Sequence, residues 1–230
     1  MNQSLNQKLY QVEDTNKEFY SKDNELQISK RWDKKAQNWD KQLLDKNTHL
    51  NQNKEYDNFI DSSKKIALLF NNNKSDNFLD VGCGTGLVSE VISPYFNNGI
   101  GIDISNNMIA EAKKKNIQNI NFYKKSLFNL NKDVDGIFNL IISRGILISH
   151  YGINYLSEIL DKLFILTKEN GCVIFDFLNK NTLLDNTHLP KNKEYFLEKT
   201  IKEYSLKSGF SKIEINGKNT DRVLIGILYK

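Results

Sequence analysis

Residues 78–86 read FLDVGCGTG, an apolar run that empties into three closely spaced glycines, and no other segment constrains the fold as tightly. A short apolar run closed by a turn signal is a buried strand. Gly82, Gly84 and Gly86 let the backbone turn sharply and leave no Cβ atoms in the way of a neighbour or ligand. The next residues, LVSEVI, have helical spacing, and Pro94 helps to end them. Strand, glycine turn and helix together make the first half of a βαβ unit.

The rest of the chain repeats that alternation. YDNFIDSSKKIALLF places Phe59, Ile60, Ile66, Leu69 and Phe70 at helical spacing, and the polar cluster at 71–77 breaks it. Residues 99–104 form a second strand, and Ser105 is the N-cap of a helix with Met108, Ile109 and Ala112 on one face. Residues 119–124 and 136–143 form the third and fourth strands, the latter continuously apolar as a strand covered on both faces should be. Tyr155, Leu156, Ile159, Leu160 and Leu163 mark an amphipathic helix ending near Gly171. Residues 172–178 make a fifth strand. A polar stretch (179–193) and a helix to about Lys207 follow. SKIEIN and RVLIGILY, separated by GKNTD, close the chain as a hairpin.

This order predicts an α/β fold: a doubly wound, seven-stranded, mostly parallel sheet with a C-terminal antiparallel hairpin. Residues 1–55 are polar with scattered aromatics, including Tyr10, Phe19, Tyr20, Trp32 and Trp39. They are expected to form an N-terminal helical cap, with residues 56–230 as the ligand-binding domain. Ligands of such sheets bind beyond the carboxyl ends of the strands, where strand order reverses.

Composition excludes several classes. With 39% hydrophobic and 26% charged residues, the chain has the makeup of a globular protein, and its net charge of +4 is mild. Basic residues are interspersed with acidic ones, so a nucleic-acid partner is not expected, whereas an anionic small molecule is compatible. Cys83 and Cys172 form no CxxC pair, and no metal is expected. The first residues lack an apolar leader, and no run approaches ~18 apolar residues. A reduced, cytoplasmic protein without membrane contact is the default expectation. Nothing in the sequence sets an oligomeric state.

The pattern of residues 80–86 is D-x-G-x-G-x-G. In GxGxxG dinucleotide sites the third glycine stands where this chain has Leu87, which argues against a nicotinamide-dependent dehydrogenase. FLDVGCGTG followed by GIGIDIS resembles motifs I and II of the class I (Rossmann-like) S-adenosylmethionine-dependent methyltransferases, of small-molecule type, and the resemblance covers about residues 56–230. It implies that Asp80, Gly82, Cys83, Gly84 and Gly86 hold the methionine portion of S-adenosylmethionine, with S-adenosylhomocysteine as product. It implies further that Asp103, followed by Ile104, takes the ribose hydroxyls. Ser126 and Leu127 stand where the family often has an acid for the adenine amino group, and Asn139 stands where its fourth strand commonly carries Asp. Ser143, at the end of that strand, borders the expected site.

The loop after the fourth strand, SRGILISHYG, is expected to lie between donor and acceptor. It lacks the proline motif of enzymes that methylate base amino groups, so a small acceptor is expected. His150 is the candidate base for a hydroxyl acceptor, Tyr151 a candidate orienter, and Arg144 a candidate partner for an anionic group or the donor carboxylate. Each also has a purely structural reading, as a satisfied ring or a clamp; His49 and His188 are read as surface residues. RWDKKAQNWDKQ resembles the segment that covers the site in small-molecule methyltransferases, which implies Trp32, Trp39 and Asp40 as candidate lid residues, although aromatic packing explains the tryptophans equally well; Tyr20 or Tyr56 is a further candidate to reach the pocket. Methyl transfer to an acceptor oxygen, of a sugar or a phosphorylated metabolite, is the leading expectation. An N- or RNA-methyltransferase and a non-catalytic S-adenosylmethionine-binding module are the alternatives.

Overall fold

A computed structural model describes residues 18–44, 52–70, 76–183 and 192–230. His49, His188, the centre of the polar flank and most of the expected break at 71–77 lie outside the described residues. Seven strands stand in one sheet: β1 (Asn77–Val81), β2 (Asn98–Asp103), β3 (Ile120–Lys124), β4 (Phe138–Ser143), β5 (Thr167–Leu178), β6 (Lys212–Asn216) and β7 (Val223–Tyr229). Their order is β3-β2-β1-β4-β5-β7-β6. Strands β1 to β5 pair in parallel, and β7 runs antiparallel between β5 and β6. The doubly wound sheet and closing hairpin expected from the sequence are both present. Strand order reverses between β1 and β4, which fixes where a ligand belongs.

Helices cover both faces: α1 (Glu25–Asp33), α2 (Trp39–Leu44), α3 (Gln52–Ala67), α4 (Leu87–Ile92), α5 (Asn106–Lys114), α6 (Lys132–Asp135), α7 (Leu147–Tyr151), α8 (Ile153–Leu166) and α9 (Glu198–Lys207). Successive strand residues point to opposite faces. Leu79, Ile141, Val173 and Phe175 therefore join one apolar cluster with Leu156, Ile159, Leu160 and Leu163 of α8. Phe78, Leu140, Ile142 and Ile174 join the other with Phe59 and Ile60 of α3 and Ile109 and Ala112 of α5. No helix among the described residues is long and apolar enough to cross a membrane.

One detail departs from the sequence reading. Helix α8 stops at Leu166 rather than near Gly171, because the Thr167 hydroxyl donates to the Leu163 carbonyl (2.6 Å) while Thr167 itself pairs with Phe138 of β4. The chain then shifts register before Cys172 pairs with Leu140, with Asn170 at φ +61°. Asn139 fills the place of the family's aspartate because its side chain accepts from the Asn77 amide (3.1 Å) and from Lys168 (2.8 Å).

Leu160, fully buried between α8 and the sheet, reports on this layer. Leu160→Ala is expected to lower unfolding free energy by about 2–5 kcal/mol in denaturant titration. A loss below about 1 kcal/mol would show that the layer is not packed as described.

Candidate active site

The site is built where β1, β2, β3 and β4 end. The amides of Gly82 and Cys83 both donate to the Ile102 carbonyl (2.8 and 2.9 Å), which folds the glycine turn against the tip of β2. Gly84 and Gly86 stand at φ +54° and +79°, a backbone region costly to any residue with a Cβ. At Gly86 a Cβ would also press on Phe122 and Ala112, at 3.1 and 3.3 Å.

Asp103 ties the two strand ends together. One carboxylate oxygen accepts from the Gly84 amide (3.0 Å) and the other from the Ser105 amide (2.8 Å). Ser105 caps α5 as expected, accepting from the Met108 amide (3.1 Å). Burial pushes the Asp103 carboxyl up to about 6, opposed by these backbone amides. Asp80, only 1% exposed, is pushed up to about 7, chiefly by burial. The Ser89 hydroxyl, 2.6 Å away, pulls it back, and the Asp103 charge adds to the rise.

The N-terminal helices sit over these strand ends through three carboxylate–hydroxyl pairs. Asp40 accepts from Thr85 beyond β1, Asp33 from Ser105 beyond β2 (2.6 Å), and Glu25 from Ser126 beyond β3 (2.5 Å). Asp33 also accepts from the Asn107 amide (2.9 Å). Burial acts to raise its pKa, but the bonds from Asn107 and Ser105 leave Asp33 below the usual carboxylate value.

Between cap and strand ends lies a cavity of about 140 Å³. Its walls bring together most residues picked out in the sequence: Asp80, Gly82, Cys83 and Gly84 from the first turn, Asp103 and Ile104 from the second, Ser126 and Leu127 from the third, and Arg144, His150 and Tyr151 beyond β4. Tyr20, Trp32, Trp39 and Tyr56 supply the cap side. Gly86 and Ser143 do not reach the wall: Gly86 serves helix packing, and Ser143 is fully buried with no partner for its hydroxyl among the described residues. Thr85, Met108, Lys125, Phe128 and Leu43 line the cavity as well, though no motif marks them as site residues.

The cap side is an aromatic chain. The Trp32 indole donates to the Tyr20 hydroxyl (2.9 Å), and Trp32 meets Trp39 edge-on at 5.2 Å. Tyr20 stacks on His150 at 4.4 Å, and its amide donates to the His150 carbonyl (2.8 Å). The ring nitrogen Nδ1 of His150 is buried without a partner among the described residues. Burial, then the positive charges of Lys193, Lys35 and Arg31, push this imidazole down to about 3, so it is neutral at ordinary pH. The Tyr151 hydroxyl donates to Glu25 (3.1 Å), which ties it to the cap. Arg144 lies over the Tyr56 ring at 4.9 Å, and its Nε is buried with no hydrogen-bond partner among the described residues.

A parallel sheet with its switch point at a glycine turn, a carboxylate at the tip of the neighbouring strand and an aromatic cap define the Rossmann-like methyltransferase class. A family model described as "Methyltransferase domain" matches residues 72–218, and the chain belongs to that family. It is similar to malonyl-[acyl-carrier protein] O-methyltransferase of Bacillus anthracis, 29% identical over 151 residues that cover 60% of this chain and 54% of that one. A namesake from Ilyobacter polytropus is 36% identical over 113 residues, 42% of each chain. The chain thus spans about half the length of the curated relatives it matches. Among solved structures, magnesium protoporphyrin IX methyltransferase from Synechocystis PCC 6803 with bound SAM superposes with TM-score 0.69 at 18% identity, covering 91% of this chain and 98% of that one. A DhpI–SAH complex superposes with TM-score 0.65 at 18% identity, covering 91% of this chain and 98% of the other. These likenesses show a shared fold.

The Asp80 carboxyl gives a test with a definite sign. Its folded pKa is raised from 3.8 to about 7, so its contribution to stability is fully present below about pH 4 and is lost as pH rises through 7. Asp80→Asn in ligand-free protein is expected to change melting temperature little near pH 4 and to raise it increasingly toward pH 8. A pH-independent offset in thermal melts would contradict the buried, strained carboxylate.

Proposed function

We propose that this protein is an S-adenosylmethionine-dependent methyltransferase that transfers the methyl group to an anionic oxygen, carboxylate or phosphoryl, of a small-molecule acceptor. The observation that carries the acceptor class is Arg144. Its guanidinium borders the cavity, stacked on Tyr56, with a buried Nε that has no hydrogen-bond partner among the described residues. An unsatisfied buried donor is costly, and a ligand oxyanion relieves that cost. The names of the malonyl-[acyl-carrier protein] O-methyltransferases support an oxygen acceptor.

On this reading Asp80 and the glycine turn hold the methionine portion of the donor and Asp103 the ribose diol, with Ile104, Ser126 and Leu127 around the adenine. The described part of 1–55 acts as the cap, its Tyr20, Trp32 and Trp39 enclosing the acceptor with Tyr56, and 56–230 is the catalytic unit. The bound donor supplies a methyl carbon activated by the sulfonium charge. The protein's part is alignment, holding acceptor oxygen and methyl carbon about 3 Å apart in line with sulfur. Asp80 and Asp103 place negative charge under the sulfonium, and Arg144 orients the acceptor.

The state of His150 argues against a neutral hydroxyl acceptor. A base works best with a pKa near the operating pH, and an imidazole held near 3 has little drive to take an alcohol proton. An acceptor that arrives ionised has no proton to lose, so displacement forms the C–O bond, breaks the C–S bond and leaves neutral S-adenosylhomocysteine.

The reading is tested with purified protein, S-adenosylmethionine and a panel of acceptors, following release of S-adenosylhomocysteine. Carboxylates, including a malonyl thioester, or phosphoryl compounds are expected to turn over, and neutral sugars not. Arg144→Gln is expected to raise acceptor KM by about 10–100-fold, the loss of one charge-assisted contact. S-adenosylhomocysteine affinity is expected to stay unchanged in that variant, and His150→Phe to retain most activity. Turnover confined to neutral hydroxyls and abolished in His150→Phe would overturn the anionic acceptor.

A further inference from the structure

Asp176 belongs to none of the motifs, yet it is a carboxylate only 6% exposed, two residues before the end of β5 and behind the loop that carries Arg144. Ser143, the last residue of β4, pairs with Phe175 of β5, so Arg144 leaves its strand beside Asp176. One oxygen of Asp176 accepts from two successive amides, Gly145 (2.8 Å) and Ile146 (2.5 Å). Both donors lie at positive φ, +106° for Gly145 and +56° for Ile146. Successive amides turned this way form a concavity for an anion, filled here by the protein's own carboxylate.

Ile146 is the revealing residue. A β-branched side chain in left-handed backbone is a genuine outlier, kept only when its surroundings hold it there, and such residues cluster at functional sites. The conformation directs the Ile146 and Gly145 amides toward Asp176. Arg144, one residue earlier, borders the cavity on the other side. The Asp176 charge also acts on Arg144, while the Arg144 Nε keeps no hydrogen-bond partner among the described residues. A direct two-pronged ion pair would have used the donors that a ligand needs.

From this arrangement we infer that Asp176 is a positioning residue: by gripping the amides of Gly145 and Ile146, it sets where the Arg144 guanidinium stands in the cavity. The inference extends the anionic-acceptor reading, and its test separates the two. Asp176→Asn keeps the shape and one acceptor oxygen but removes the charge that grips both amides.

The experiment uses the full chain saturated with S-adenosylhomocysteine. The Arg144 Nε–H signal is followed by nitrogen-15 NMR, with Arg144→Lys to assign it, and malonate serves as the anion probe. In Asp176→Asn the Arg144 signal is expected to move and malonate affinity to fall at least ~10-fold. S-adenosylhomocysteine affinity and cooperative melting are expected to remain as in the unsubstituted protein. A variant with an unmoved Arg144 signal and unchanged malonate affinity overturns the inference. Amide exchange in the unsubstituted protein gives a second arm that does not depend on the variant folding. Gly145 and Ile146 amides protected well beyond other exposed loop amides support the grip, and unprotected amides overturn it. Should malonate fail to bind the unsubstituted protein while the Arg144 signal moves in Asp176→Asn and both amides are protected, Asp176 keeps its role and the anionic acceptor is lost.

Discussion

The Asp103 carboxylate accepts the Gly84 amide on one oxygen and the Ser105 amide on the other, and through these bonds it joins the tips of β1 and β2 into one surface. Much of the site depends on that joint. The glycine turn can lie flat against β2 because Gly82 and Cys83 also give their amides to Ile102. The start of α5 is fixed by the same carboxylate that a ribose would meet. Each carboxylate oxygen has a second lone pair, so structural and ligand-binding duties do not compete.

Charge in the cavity follows a consistent logic. Asp80 and Asp103 are pushed up to about 7 and about 6 by burial, and Asp176 is raised for the same leading reason, with Arg144 acting against the rise in Asp80 and Asp176. A buried carboxylate kept from ionising freely is a cost in the empty protein, and a bound cation removes it. The proposed donor carries a positive sulfur, so its binding would favour ionised Asp80 and Asp103. The cap uses the same residue types differently. Glu25, Asp33 and Asp40 instead accept from hydroxyls at three successive strand ends, which ties the N-terminal helices to the sheet.

The layered fold was legible because local signals and burial agreed. Apolar runs became strands, Ser105 became a cap, and three glycines became a turn at positive φ. The cavity wall was legible wherever a residue stands at or just beyond the carboxyl end of a strand, which is why Asp80, Asp103, Ser126 and Arg144 all reach it. Interactions that depend on folding across the chain left no local trace. The Glu25–Ser126 and Asp33–Ser105 pairs join residues 101 and 72 positions apart. Asp176 sits inside an apolar strand, and only the neighbouring strand's end reveals what it holds. Position and side-chain chemistry mark Tyr151 and His150 as candidate orienter and base, but packing ties the tyrosine hydroxyl to Glu25 and burial lowers the histidine's pKa.

The central claim is that Asp103 and the glycine turn form the seat of a nucleoside sulfonium donor, and titration calorimetry with S-adenosylhomocysteine tests it most directly. The unsubstituted protein is expected to bind with measurable heat. Asp103→Ala should weaken binding by at least ~1.5 kcal/mol, from loss of charge-assisted hydrogen bonds. Equal affinity in the two proteins, or no binding by the unsubstituted one, would contradict the account.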